Sequence, residues 1–228
     1  HQKELKEQVL IAKDKGYEIY LNPIGVSCYR ISEIKSIIDL LNKLEPKCIS
    51  IVDSFGALNL DSLTEIQHVF HDSISREITL GLHLHENLGI SYALACKFIE
   101  NNNNYRNLII DSSILGMGRV PGNLCSEMIM DKVNSLVSRK YNLLPIYDVI
   151  DKVINPIKEK ISWGYMPHYF LSGKANVNRH YAEFFYEKNG ISLAQLPILL
   201  DKVRKFDSSG MLFSKEICEK ILNEKRIK

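Results

Sequence analysis

Cysteine is sparse in this chain, and no pattern pairs what there is. Five cysteines (Cys28, Cys48, Cys96, Cys125 and Cys218) are scattered over 228 residues. Their number is odd and none stands in Cys-x-x-Cys spacing, so the chain does not read as a disulfide scaffold. They read instead as reduced, mostly buried thiols of a cytoplasmic protein. Long hydrophobic runs are missing too. No stretch approaches the ~18 apolar residues that a membrane span requires. The opening segment HQKELKEQVL is polar and reads as a helix, not as a signal peptide. Nor is there an excess of charge of one sign. Lys plus Arg number 29 and Asp plus Glu 27, a net charge of +2, with the signs interspersed. That argues against nucleic acid or an acidic membrane as the main partner.

What the chain does have is enough apolar content, 45%, for a real core. It also has a repeating order of elements. Strand-like runs at Tyr17–Ile24, Cys48–Asp53, Ile78–His85 and Asn107–Asp111 recur at roughly 30-residue spacing, and helical patterns fill the gaps. Those helices are expected over Glu4–Lys15, Ser32–Leu44, Ser62–Ser75, Ile90–Asn101 and Asn123–Arg139. Ser62 and Glu65 stand at capping-box spacing. Strand–helix alternation of this period means βαβ units and a parallel sheet, an α/β fold. After about Leu144 the strands stop. Pro145–Ile161, Pro167–Ala175, Asn178–Lys188, Ser192–Lys205 and Ser214–Glu224 all read as helices. The expected organisation is an α/β part over residues 1–142 and an all-helical part over 143–228.

In α/β folds of this kind the chemistry gathers at the carboxyl ends of the strands. Here the four runs end in Asn22-Pro23, Asp53-Ser54, His83-x-His85 and Asp111-Ser112-Ser113. Leu80, Leu82 and Leu84 alternate with Gly81, His83 and His85, so the two histidines project from one face and the leucines from the other. Two imidazoles side by side at a strand end form half of a divalent-metal site. The plainer alternative is a polar strand mouth that binds nothing. A later Gly-rich loop, Gly116 to Asn123, adds weight to the metal reading.

Three motifs in order resemble the metal-dependent aldolase and lyase superfamily that includes 4-hydroxy-2-oxovalerate aldolase, hydroxymethylglutaryl-CoA lyase and isopropylmalate synthase. They are Val52-Asp53-Ser54-Phe55-Gly56, then His83-Leu84-His85-Glu86-Asn87-Leu88-Gly89, then Asp111-x-Ser113-x-x-Gly116-x-Gly118-Arg119 with Gly122-Asn123. The stretch Trp163 to Gly173 is most similar to the oxovalerate branch.

The resemblance implies a (β/α)8 TIM barrel, of which these four strands would be the last four, followed by a small helical domain. It implies that the Arg-Asp pair of the family's first strand, which includes one metal ligand and lies beside the base, is not in this sequence. On that reading the chain lacks the N-terminal half of its barrel or completes it by association, as a homo-oligomer or with another chain.

The resemblance also implies His83, His85 and Asn123 as metal ligands, with Mn²⁺ or Mg²⁺ expected and Co²⁺ or Zn²⁺ as alternatives. The ion would be a Lewis acid toward a small 2-oxo acid. Ser54 is expected on the substrate carboxylate, with Arg119, Asn22 and Asn87 as further substrate contacts. Asp53 and a tail tyrosine, Tyr165, are expected in catalytic positions. The implied activity is cleavage of a 4-hydroxy-2-oxo acid to pyruvate, or a similar 2-oxo acid, and an aldehyde. A Claisen-type synthase joining an acyl-CoA to a 2-oxo acid, and a non-catalytic partner chain, are the competing readings.

Overall fold

The computed structural model describes residues 2–103, 106–138 and 140–226. Helix α1 (Gln2–Asp14) leads into strand β1 (Tyr20–Leu21). Then follow α2 (Ile31–Asn42), β2 (Cys48–Asp53), α3 (Leu60–Ser73), β3 (Thr79–Leu84), α4 (Ser91–Asn102), β4 (Leu108–Ile110) and α5 (Ser126–Asn134). The four strands form one sheet in the order β1-β2-β3-β4, every pair parallel. This is the α/β arrangement of half a (β/α)8 barrel. The expected helix over Asn123–Arg139 is shorter, and Arg139 lies outside the described residues. The first and last strands are also shorter than their apolar runs, because each pairs on one side only among the described residues.

The two faces of the sheet differ in chemistry. Ile49, Ile51, Leu80, Leu82 and Leu84 lie on the helix side, all buried. Against them pack Ile34, Ile38 and Leu41 of α2, Leu63, Ile66 and Phe70 of α3, and Leu94 and Phe98 of α4. These are spacings of three, four and seven, one stripe of each helix. Helix α3 begins two residues before Ser62. Asn59 is its cap, accepting the Ser62 amide at 2.9 Å, and the Asn59 amide donates to Ser62 Oγ at 2.9 Å. The capping box is therefore Asn59 with Ser62 rather than Ser62 with Glu65.

The opposite face carries Cys48, Ser50 and Val52 beside Thr79, Gly81 and His83, since register partners in a parallel pair share a face. Gly81 is required there. A Cβ at that position would lie 2.2 Å from Ser50 Oγ and 2.9 Å from Cys48 Sγ.

After α5 the chain is helical. Helix α6 (Leu144–Val149) runs through a π-helical turn (Ile150–Ile154) into α7 (Asn155–Lys160), then come α8 (Pro167–Lys174) and α9 (Arg179–Ala182). A second π-helical turn (Glu183–Lys188) precedes α10 (Leu196–Phe206) and α11 (Lys215–Arg226). This tail has its own apolar cluster, with Tyr181, Phe185, Leu196, Leu200, Val203 and Ile221 buried.

Side-chain and backbone donors tie the tail to the carboxyl ends of the strands. Trp163 Nε1 donates to the Leu115 carbonyl at 2.9 Å, the Gly164 amide to the Pro121 carbonyl at 2.8 Å, and Arg179 Nη1 to the Val120 carbonyl at 2.7 Å. Asn176 Nδ2 donates to the Ser27 carbonyl at 2.8 Å. The Gly-rich loop and the residue before it are thus held from the tail at three carbonyls, which satisfies groups that a loop leaves unpaired.

Candidate metal and anion site at the strand ends

His83 and His85 face the same way, as the alternation requires, with ring centroids 5.0 Å apart and planes 78° to each other. Each ring has its Nδ1 engaged. His85 Nδ1 lies 2.8 Å from the backbone carbonyl of Asp53. A carbonyl can only accept, so His85 carries its proton on Nδ1. His83 Nδ1 lies 3.1 Å from Asp111 Oδ2 and donates to that carboxylate in the same way. Neither Nε2 has a hydrogen-bond partner among the described residues. Two imidazoles tied at Nδ1 to oxygen acceptors, with both Nε2 lone pairs left over, is the arrangement in which histidines ligate a metal. Burial holds the His85 imidazole below its ordinary pKa, opposed by its bond to Asp53, with the neighbouring His83 adding to the depression. It is therefore neutral and able to ligate at neutral pH.

Asn123 lines one cleft with His83, Asp111 and Ser112. Its backbone is bridged to that of His85, and its Nδ2 donates to the Met117 carbonyl at 3.2 Å, leaving the side-chain oxygen as the available donor atom. Among the described residues no group of three or more His, Cys, Asp and Glu side chains is gathered as a metal cluster. The residues present fit a divalent ion as a partial set, two imidazole nitrogens and an amide oxygen. The remaining positions fall to substrate, water or other groups.

His85 stands in a second cleft, its ring 5.0 Å from that of His83 in the first. Ser54, Asn87, Arg119 and Arg179 line the second cleft with His85. Ser54 Oγ accepts the Gly25 amide at 2.7 Å, so its own proton is free to donate into the cleft. Asn87 is buried and donates from Nδ2 to the Tyr169 carbonyl at 3.1 Å. It sits between Gly56 and Gly173, where a Cβ would come within 2.5 Å and 2.8 Å of its atoms. It lines the cleft and also seats the tail. Arg179 comes from α9, and no sequence motif flags it. Asp111 stands in the third motif and at a strand end, and that position was the signal for its part in the site.

Three expected residues are placed elsewhere. Asp53 is fully buried, with Oδ1 accepting the Ala57 amide at 2.8 Å and Oδ2 the Leu58 amide at 3.1 Å. It pairs in register with Leu84 rather than His83, so its side chain leaves from the helix face. Its carboxylate organises the loop after β2, and only its carbonyl serves the site. Burial raises that carboxyl to about 6 against the two amide bonds. Tyr165 is 64% exposed, packs its ring 6.2 Å from Phe170, and lines neither cleft. Asn22 is exposed beyond the two-residue β1 and lines neither cleft.

The fold and the strand-end site define a barrel-type α/β protein. The family model described as HMGL-like matches residues 2–153, and the chain belongs to that family. Over 122 residues it is 26% identical to 4-hydroxy-2-oxovalerate aldolase of Pseudoalteromonas translucida (strain TAC 125), covering 53% of this chain and 34% of that protein. The chain thus spans about a third of that relative's length.

Among solved structures it is similar to the N-terminal domain of a putative aldolase from Bacteroides vulgatus. There the TM-score is 0.67 at 21% identity, over 81% of this chain and 60% of that one. It is also similar to the carboxyl transferase domain of Rhizobium etli pyruvate carboxylase with pyruvate and biocytin. There the TM-score is 0.67 at 11% identity, over 95% of this chain and 39% of that one. That likeness takes in the helical tail as well as the sheet. Among the described residues no helix is long and apolar enough to cross a membrane.

Proposed function

We propose that this chain carries the strand-end site of a divalent-metal-dependent carbon–carbon lyase. The substrate is a 4-hydroxy-2-oxo acid, and the products are pyruvate, or a close 2-oxo acid, and an aldehyde. The observation that carries the reading is the pair His83 and His85, each tied at Nδ1 to an oxygen acceptor and each with Nε2 available. Membership of the HMGL-like family and similarity to the oxovalerate aldolase support it.

His83, His85 and Asn123 hold the ion, and Asp111 and the Asp53 carbonyl fix the two rings. The ion, when bound, supplies Lewis-acid polarisation of the substrate's keto group. Ser54 donates its hydroxyl proton to the substrate carboxylate, with Oγ held in place by the Gly25 amide. The tail's grip on the Gly-rich loop keeps Asn123 and Arg119 at the mouth, so that binding does not have to order them.

In the reaction the substrate's C4 hydroxyl loses its proton and the C3–C4 bond breaks. The bonding pair stays on C3, which is then protonated to give the methyl group of pyruvate.

A coupled pyruvate assay across several 4-hydroxy-2-oxo acids, with and without chelator, tests the proposal. Turnover that needs a divalent ion and is lost in His83→Ala and His85→Ala supports it. Turnover that survives complete chelation overturns it. Coenzyme A binding without any cleavage would favour the synthase reading instead.

A further inference from the structure

The cleft beside His85 holds more positive charge than a simple 2-oxo acid needs. Arg119 reaches it from the Gly-rich loop and Arg179 from α9, and no carboxylate among the described residues lines it. Two guanidiniums from separate elements repel in a partly buried cleft. Burial lowers the basicity of Arg179, Glu183 opposes that, and the charge of Arg119 adds to it. Glu183 stands behind Arg179 rather than in the cleft. Its Oε1 lies 3.5 Å from Arg179 Nε and accepts from the Tyr169 hydroxyl at 3.0 Å. The Val120 carbonyl takes Nη1. Glu183, Val120 and the Tyr169 ring, whose centroid is 5.6 Å from Arg179 Cζ, orient this guanidinium. Arg119 is exposed at the mouth.

The 2-oxo acid end of a substrate is already provided for, by the ion on the histidines and the Ser54 hydroxyl. The two arginines are left over. We infer that the substrate is a dianion, a 2-oxo acid whose far end carries a second anionic group, held between Arg119 and Arg179. Guanidinium pairs take carboxylate and phosphate by the same forked geometry. The second group is therefore a carboxylate or a phosphoryl group. Arg179 is then a specificity-determining residue contributed by the helical tail, and the tail completes the substrate site as well as supporting it. The inference rests on the 2-oxo acid reading given above.

Binding, not turnover, tests it. Three unreactive ligands, 2-oxohexanoate, 2-oxohexanedioate and 2-oxo-4-phosphonobutanoate, are titrated calorimetrically into the protein in the presence of Mn²⁺. They lack the 4-hydroxyl and cannot be cleaved. The wild type is expected to bind at least one dianion about tenfold or more tightly than 2-oxohexanoate, the scale of one charge-assisted contact. Which dianion gains tells carboxylate from phosphoryl. Arg119→Gln and Arg179→Gln should each erase the preference, weakening the favoured dianion far more than 2-oxohexanoate, and Arg179→Lys should restore part of it. Thermal melts confirm that the variants fold. Should Arg179→Gln fail to fold, Arg119→Gln and Arg179→Lys carry the comparison. Equal binding of all three ligands by the wild type overturns the inference and leaves the 2-oxo acid reading standing. A preference that survives in the folded arginine variants also overturns it. If none of the three binds, the 2-oxo acid reading falls and the inference falls with it.

Discussion

His83 donates from Nδ1 to the Asp111 carboxylate at 3.1 Å, across the gap between β3 and the end of β4. This bond decides which ring nitrogen faces the cleft. It also makes the imidazole a better electron donor than one held by a neutral acceptor. Replacing Asp111 with Ala frees the ring to rotate and to change tautomer. The expected result is a loss of about 10–100-fold in divalent-ion affinity, the usual effect of removing such a supporting group. Titration with Mn²⁺ followed by electron paramagnetic resonance measures it directly. Unchanged affinity in Asp111→Ala would show that His83 is not a ligand.

Ser54 and Gly25 give the second prediction. The Gly25 amide occupies one lone pair of Ser54 Oγ and leaves the hydroxyl proton to the cleft. Ser54→Ala should weaken binding of a 2-oxo acid by ~1.5–3 kcal/mol, the range for a hydrogen bond to a charged group. Ion affinity should stay at the wild-type value, because among the described residues Ser54 is hydrogen-bonded to the Gly25 amide and to neither histidine ring. An equal loss of ion affinity would move Ser54 from substrate contact to scaffold.

The face on which the two imidazoles stand is legible in the sequence. The alternation of Leu80, Leu82 and Leu84 with Gly81, His83 and His85 gave the face on which the imidazoles stand, since side-chain direction in a strand depends only on parity. The catalytic place expected of Asp53 came from the resemblance, and the strand pairing does not give it. Its face depends on how β2 registers against β3, and that pairing puts Val52, not Asp53, beside His83. Register is a property of two strands and is not written in either one. The ends of β1 were likewise hidden. Tyr17–Ile24 reads as one extended run, but only Tyr20 and Leu21 meet partners on β2. Arg179 was invisible for a related reason. It is one arginine at the start of a short helix, and its place in the site comes from the docking of the tail on the Gly-rich loop. Tyr165 shows the converse. The resemblance implies a tail tyrosine, Tyr165, in a catalytic position, yet Tyr169 is the one buried against Arg179 and Tyr165 stands in solvent.

Gly81 provides a prediction about stability alone. A methyl group there meets Ser50 Oγ at 2.2 Å and Cys48 Sγ at 2.9 Å, and all three belong to central paired strands that cannot move apart cheaply. Gly81→Ala should destabilise the fold by about 1–3 kcal/mol, as overpacking of a dense interior does. Removing the Ser50 side chain at the same time should restore part of the loss, so Gly81→Ala/Ser50→Gly should be more stable than additivity allows. Urea unfolding of the four proteins closes the cycle. Strict additivity would mean that the strain falls elsewhere.

The last prediction concerns acid. His71 on α3 has its pKa lowered by burial first, then by the charges of Arg106 and His68, with Asp72 opposing. Its Nε2 lies 3.3 Å from Gln67 Nε2, a group that can only donate, so this ring nitrogen accepts and the ring is neutral. A folded-state pKa below the unfolded value means that the unfolded chain binds the proton first. The stability that His71 contributes is complete above the unfolded value, near 6.5, and is lost as pH falls through the depressed folded value. The His71 contribution to unfolding free energy should therefore drop between pH 7.5 and pH 5, against the opposite contribution of the raised Asp53 carboxyl. Relative to His71→Gln, which keeps a polar acceptor toward Gln67 and does not titrate, the wild type should lose stability over this range. The variant keeps the opposing contributions of the depressed His85 imidazole and the raised Asp53 carboxyl, so the difference between the two proteins isolates His71. Identical pH slopes for the two proteins would show that His71 does not contribute to the acid sensitivity.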